Sequence, residues 1–112
     1  MSVTLDKLVT THAVPGRETR EALGIVSAEC VLGINIFRDV LGGLRDIVGG
    51  RSGTHQKALR EARETCLNEL ADQASSLGAD AVVGIDLDYS EISGGGKGMV
   101  LLVASGTAVR LK

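Results

Sequence analysis

Apolar side chains recur along the chain at two different spacings, and these spacings predict the order of strands and helices. The segments at residues 21–33 and 78–92 alternate between apolar and other residues, as strands with one buried face do, and two further segments carry apolar residues at steps of three and four, as helices do. Strands are predicted at residues 7–14, 21–33, 78–92 and 99–111, and helices at residues 35–48 and 54–77.

The predicted helix at residues 54–77 has the clearest apolar stripe, and Gly78 follows it where a C-terminal cap is expected. Arg63 falls inside this stripe. Two interpretations remain open for it. Its aliphatic stem packs while the guanidinium reaches water, or it forms a partly buried ion pair with an acid on another element or subunit. The stripe consists of Leu59, Ala62, Cys66, Leu70, Ala74 and Leu77.

The last strand is apolar on both faces, which predicts that both faces of the sheet are covered. Helices on one face leave the other open, so we expect copies of the chain to cover it. The alternative is a monomer whose N-terminal segment folds across that face. Asp86 and Asp88 share a strand face, and Glu29 lies on the less apolar face of its strand. These acids are expected to pair with arginines such as Arg63 at the interface. The alternatives are a solvated surface, a hard-metal site or an acid/base pair.

Composition narrows the possible partners. The 112 residues suit one domain, and a net charge of −2 without a basic run argues against nucleic-acid binding. No apolar stretch is long enough to span a membrane, and no export signal is evident, so we expect a cytoplasmic protein. Cys30 and Cys66 are then reduced thiols. One is expected on a core strand face and the other in the helix stripe, where they could meet; core packing is favoured over a metal site.

A glycine-rich segment precedes the long helix and is a candidate ligand-binding loop. Free backbone N–H groups at a helix N-terminus, together with an arginine, suit a phosphate or carboxylate. The segment lacks the terminal GK[ST] of a Walker loop. It is therefore predicted to be a structural elbow, with an anion site and an intersubunit contact as alternatives. No catalytic constellation is present in the sequence, so we do not expect an enzyme. The loop residues are Gly49, Gly50, Arg51, Ser52 and Gly53.

Several blocks of the sequence resemble the YbjQ family of small bacterial and archaeal proteins. They are "VLGINIFRD", "GLRDIVGGRSG", "KALREARE" and "LGADAVVGIDLDYSEI", with "VASGTAV" near the end. The resemblance runs from Gly24 to Val109. It implies an α+β subunit of two layers, with an antiparallel sheet and a long helix on one face, shaped like the dodecin subunit and assembled into a pentameric ring.

The resemblance also implies the label of a heavy-metal-binding domain, without an established activity. The family commonly has a small apolar residue where this chain has Cys30 and Cys66, so a family-wide thiolate site does not map onto them. We therefore expect a non-enzymatic, cytosolic, ring-forming homo-oligomer that binds or stores a small ligand of unknown identity. A heavy-metal-binding protein is the alternative.

Overall fold

The subunit is a three-stranded antiparallel sheet with a long helix on one face. The structure is a computed structural model that describes residues 3–33, 53–94 and 97–112. The two-layer α+β arrangement agrees with the prediction. No helix among these residues is long and apolar enough to cross a membrane. The predicted helix at residues 35–48 lies outside the described residues. The elements are a 3-10 helix at Leu5–Lys7, β1 at Thr19–Gly33, α1 at Gly53–Ser76, β2 at Ala81–Gly94 and β3 at Lys97–Leu111, with the strands in the order β1-β3-β2.

The core lies between α1 and the helix-facing side of the sheet. Small side chains on α1 allow its backbone to approach the strands closely, and Leu70 supplies the largest buried side chain on the helix. The predicted stripe is confirmed as far as Ala74, whereas Leu77 is exposed. The buried residues that meet here include Ala62, Cys66, Leu70 and Ala74 from α1, Val26 and Ala28 from β1, and Leu102, Ala104 and Ala108 from β3.

Gly78 caps the C-terminal end of α1 as the sequence predicts. Gly78 has a φ of 82°, a left-handed conformation that glycine adopts without strain. Its N–H donates to the Ser75 carbonyl at 3.0 Å, and the Ala79 N–H donates to the Ala74 carbonyl at 3.0 Å. This pair of hydrogen bonds is the Schellman motif, and it turns the chain directly into β2.

A β-bulge in β2 changes which residues face the helix. The pairing with β3 shifts between Val83 and Asp86, and Gly84 has a φ of 61°. As a result Val82 and Ile85 both lie on the helix side, while Val83 packs on the other side. The sequence was interpreted as one uninterrupted alternation through this strand, and that interpretation is wrong because the bulge inserts a residue.

Gly106 of β3 lies opposite the bulge. A Cβ atom at this position would be 2.6 Å from Cγ1 of Val82 and 3.0 Å from Cγ1 of Ile85. Val82 is fully buried and Ile85 nearly so. The missing side chain therefore makes the space that both apolar side chains of the bulge occupy.

The N-terminal segment runs beside β2 at the bulge without forming the predicted strand at residues 7–14. Only an isolated parallel bridge between Leu8 and Val82 is found there. The segment binds the backbone groups that the bulge leaves unpaired with β3. The Gly84 N–H donates to the Thr11 carbonyl at 2.8 Å, and the Ile85 N–H donates to the Val9 carbonyl at 3.1 Å. The strand prediction is wrong because these bonds hold an irregular segment along β2.

The face of the sheet opposite the helix is covered only at one end within the described residues. There Val14 packs into a second small cluster with Ala81, Val83, Val109 and Leu111. Toward the other end, Ile25 is 84% exposed and Val31 is 56% exposed. The N-terminal segment thus covers part of this surface, which we call the open face, and leaves the larger part uncovered by the described chain.

Candidate functional site

A cavity of about 340 Å³ lies between the N-terminal segment, α1 and β2. Its walls are mostly aliphatic, and its polar groups come from one helix and from Thr10. Leu67 follows the buried Cys66 on α1, and the bulge brings Ile85 and Leu87 to the helix side of β2. The lining residues are Leu5, Leu8, Val9, Thr10, Glu64, Leu67, Asn68, Ile85 and Leu87.

Glu64 and Asn68 are the chemically specific groups of this cavity. They lie four residues apart on α1, so they occupy neighbouring positions on one side of the helix. Both are exposed. Together they place one carboxylate and one amide beside an apolar space, which is the arrangement typical of small-molecule sites.

Sequence reasoning missed this cavity because residues 7–14 were interpreted as a strand. Leu5 and Leu8 line the cavity because the 3-10 helix turns the chain between them. The helical spacing of Glu64 and Asn68 beside Leu67 was visible in the sequence. The bulge that brings Ile85 to the same place had no signal beyond Gly84.

Cys30 and Cys66 form a thiol pair between β1 and α1. The Cys66 thiol donates to the Ala28 carbonyl at 3.1 Å, and its sulfur lies 3.8 Å from the carbonyl oxygen of Leu102. Cys30 is the residue of β1 that pairs with Leu102, and it packs against the core that holds Cys66. The two cysteines therefore meet in the interior, as their positions in the sequence allowed.

The two thiols differ in access to solvent. Cys66 is fully buried, whereas Cys30 is partly exposed. Burial, with the neighbouring Cys30, raises the pKa of the Cys66 thiol to about 11. No group of three or more His, Cys, Asp or Glu residues that could hold a metal ion occurs in the described part of the chain. Among the residues that the structure describes, the pair thus offers two sulfur ligands and no further ligand of those types beside them.

The predicted interface residues fall on two different layers. In the open face, Glu29 and Asp88 flank Val103, while Asp86 pairs with the neighbouring Ser105. Arg63 is exposed on α1. Within one subunit the sheet therefore separates this arginine from the three acids, and pairing between subunits stays a prediction.

Arg63 lines a shallow surface depression with four other residues. The ion pairs among the described side chains join Lys7 to Asp6, Arg110 to Glu21 and Lys112 to Glu18, and none involves Arg63. Its exposure agrees with the interpretation in which the guanidinium reaches water. The other residues of the depression are Gln56, Leu59, Arg60 and Tyr89.

The predicted anion loop cannot be placed against this geometry. Residues 49–52 lie outside the described part of the chain, and Gly53 is the first residue of α1. The three alternatives for the loop, namely an elbow, an anion site and an intersubunit contact, therefore stay predictions.

This chain is similar to known proteins in sequence family and in fold. The model of the YbjQ family, described as "Putative heavy-metal-binding", matches residues 7–112. A similar fold occurs in a crystal structure, determined at 2.73 Å, of a protein of unknown function from Pediococcus pentosaceus that belongs to the DUF74 family. That match has a TM-score of 0.64 at 12% sequence identity and covers 94% of this chain and 96% of the other.

Proposed function

Because this chain belongs to the YbjQ family, whose description names heavy-metal binding, two kinds of ligand must be weighed against its geometry. We propose first that the protein is a non-enzymatic homo-oligomer that binds a small, mainly apolar molecule in the cavity between the N-terminal segment, α1 and β2. The observation that carries this proposal is the cavity itself. Its volume of about 340 Å³ lies within the range of roughly 300–1,000 Å³ that small-molecule sites occupy.

The polar groups of the cavity indicate the chemistry of the ligand. Glu64 offers a carboxylate, and Asn68 can donate or accept hydrogen bonds. An aliphatic molecule with an ammonium group would place its chain against Leu67 and Leu87 and its charge beside Glu64. A carboxylic acid of the same length would meet like charge. We therefore propose a small aliphatic amine as the ligand class.

A matched series of octylamine, octanol and octanoate tests this proposal. Binding measured by shifts in the NMR signals of leucine and isoleucine methyl groups should be tightest for the amine. Glu64→Gln should remove the preference for the amine over the alcohol, whereas Glu61→Gln, at an exposed position on the same helix, should preserve it. Leu67→Trp should abolish binding of all three by filling the cavity. Equal binding by the three probes, or none, would refute the proposal.

Self-assembly is the second part of the proposal, and the open face supports it. Large apolar side chains there are exposed, among them Ile25 and Val31. The face also carries the three acids Glu29, Asp86 and Asp88, while α1 carries the exposed Arg63. A contact in which the helix of one subunit meets the open face of the next would join these opposite charges.

A head-to-tail contact of this kind closes into a ring when its rotation allows. We propose a ring of five dodecin-like subunits, the number that the family resemblance implies, in the cytosol, where the two free thiols stay reduced. Light scattering during size-exclusion chromatography at micromolar concentration tests the assembly. A single species with the subunit mass of 11.6 kDa would refute it.

Heavy-metal binding is the second candidate function, and the thiol pair favours it. Cys30 and Cys66 are soft ligands that lie together in the fold, although neither belongs to a short ligand motif. Inductively coupled plasma mass spectrometry of protein purified without chelators tests this candidate, because it detects any retained metal irrespective of where it binds.

A further inference from the structure

The thiol pair of Cys30 and Cys66 is the most specific chemical feature of the core, and the cavity proposal makes no use of it. The Cys66 sulfur is held between β1 and β3 by the Ala28 and Leu102 carbonyls. Cys30, the β1 residue beside it, is partly exposed and gives a route from solvent. Two neighbouring sulfurs, one held by hydrogen bonding and the other reachable from solvent, are the minimum that a chelating metal site requires.

The number of ligands limits which metals suit this pair. Zinc in proteins takes four ligands, in a tetrahedral arrangement, in structural sites. The described residues provide no cluster of three or more His, Cys, Asp or Glu, and the surroundings of Cys66 are aliphatic. The pair therefore suits a metal that is satisfied by two sulfur ligands in a linear arrangement.

Charge balance limits the choice further. Metal binding requires both cysteines as thiolates, so the two ligands bring two negative charges to the aliphatic surroundings of Cys66, with Cys30 at their partly exposed edge. A monovalent ion such as copper(I) would leave one net negative charge there, and a buried charge without a partner is costly. A divalent ion yields a neutral complex, which an aliphatic environment accommodates.

We infer that Cys30 and Cys66 form a chelating site for a linearly coordinated, soft divalent cation, of which the mercuric ion is the representative. Two sulfur–metal bonds form, two S–H bonds break, and two protons pass to the buffer, without an oxidant or reductant. This inference rests on the metal-binding candidate above, which it narrows to two residues and one metal class. It is independent of the cavity and of the ring.

Competition with a monothiol tests the inference, because any single cysteine binds the mercuric ion. Fully reduced protein is loaded with mercuric chloride and desalted in excess reduced glutathione. The wild type should retain one mercuric ion per subunit, because an intramolecular pair of ligands outcompetes separate ones. Its melting temperature should also rise, since the metal binds the native state. Cys30→Ala and Cys66→Ala should each retain less than a tenth of an ion per subunit. Zinc chloride treated in the same way should be removed from all three proteins.

Each alternative outcome is informative. Complete loss of the ion from the wild type refutes both this inference and tight binding of this metal class by the protein. Retention by either single variant refutes the chelating pair but leaves metal binding at another site. Half an ion per subunit in Cys66→Ala indicates a bridge between two copies through Cys30, which also refutes the inference. If circular dichroism shows that Cys66→Ala does not fold, Cys66→Ser, which preserves the side-chain volume, takes its place. Cys30→Ala changes a partly exposed position, and its result decides the test if neither Cys66 variant folds.

Discussion

Replacing Gly106 by alanine tests how tightly the β2 bulge is packed against β3. Gly106 has an ordinary φ, so alanine meets no backbone strain there. In that situation a Gly→Ala change usually stabilises a protein by about 0.4–1 kcal/mol, through the lower entropy of the unfolded chain. Here the new methyl group would lie 2.6 Å from Cγ1 of Val82 and 3.1 Å from the carbonyl oxygen of Val83. Neither atom is the end of a flexible side chain.

We therefore expect the sign to reverse, with a loss of about 1–3 kcal/mol in the free energy of unfolding, as is typical of an overpacked core. Urea unfolding followed by far-ultraviolet circular dichroism at one fixed protein concentration measures it. Ser105→Ala, on the opposite face of the same strand, is the matched control and should change stability by less than about 0.5 kcal/mol.

A double-mutant cycle identifies the atoms responsible. Val82→Ala alone should destabilise the protein, because it removes two buried methyl groups. In Gly106→Ala with Val82→Ala, the new methyl group takes up part of the space, so the two losses should fall short of additivity by about 1 kcal/mol or more. A Gly106→Ala protein as stable as the wild type, or losses that simply add, would show that the reasoning about this contact is wrong.

Four further outcomes follow from the structure. Burial raises the pKa of the Cys66 thiol from 9.0 to about 11, so between these pH values the native state keeps a proton that the unfolded state releases. The free energy of unfolding, measured by urea titration, should therefore fall as the pH rises from about 9 to about 11. This fall should be absent in Cys66→Ala. Reduced protein should show no stoichiometric zinc or copper(I) site of nanomolar affinity by titration calorimetry. Asp86→Ala and Asp88→Ala should each lower the oligomer mass in light scattering at low protein concentration, whereas Asp72→Ala on α1 should not; normal assembly of both would place these acids outside the interface. Gly78→Ala should lower the unfolding free energy by about 1–2 kcal/mol in urea, because its φ of 82° is unfavourable for a residue with a Cβ.

Much of the fold could be predicted from the local spacing of apolar residues in the sequence. The strand predicted at residues 21–33 is observed at Thr19–Gly33, and the helix predicted at residues 54–77 is observed at Gly53–Ser76. Both contain a regular period over many residues, and Gly78 supplies the local signal that ends the helix. Alternation also placed Glu29, Asp86 and Asp88 on one sheet face correctly, because Asp86 and Asp88 lie on the same side of the bulge.

The bulge, the path of the N-terminal segment and the cavity were not predicted, because they depend on contacts between residues far apart in the sequence. A bulge in β2 requires backbone partners for its extra residue, and these come from Val9 and Thr11, more than 70 positions earlier in the chain. The composition of residues 7–14 is compatible with a strand, and their irregular path becomes evident only from their hydrogen bonds to β2. The cavity was missed for the same reason, since its walls come from three separate elements.

The position of β3 in the sheet has a consequence for how the protein is made. In the described sheet, β1 and β2 each form their ladder with β3, which lies between them, yet β3 is the last of these strands to leave the ribosome. Until then β1 lacks its partner in the sheet, and its final register joins residues as far apart as Thr19 and Leu111. Pairings of such separation form slowly. A nascent chain that stops before Lys97 therefore lacks the strand with which β1 and β2 form their ladders, so quality-control factors would meet an incompletely paired intermediate on every round of synthesis.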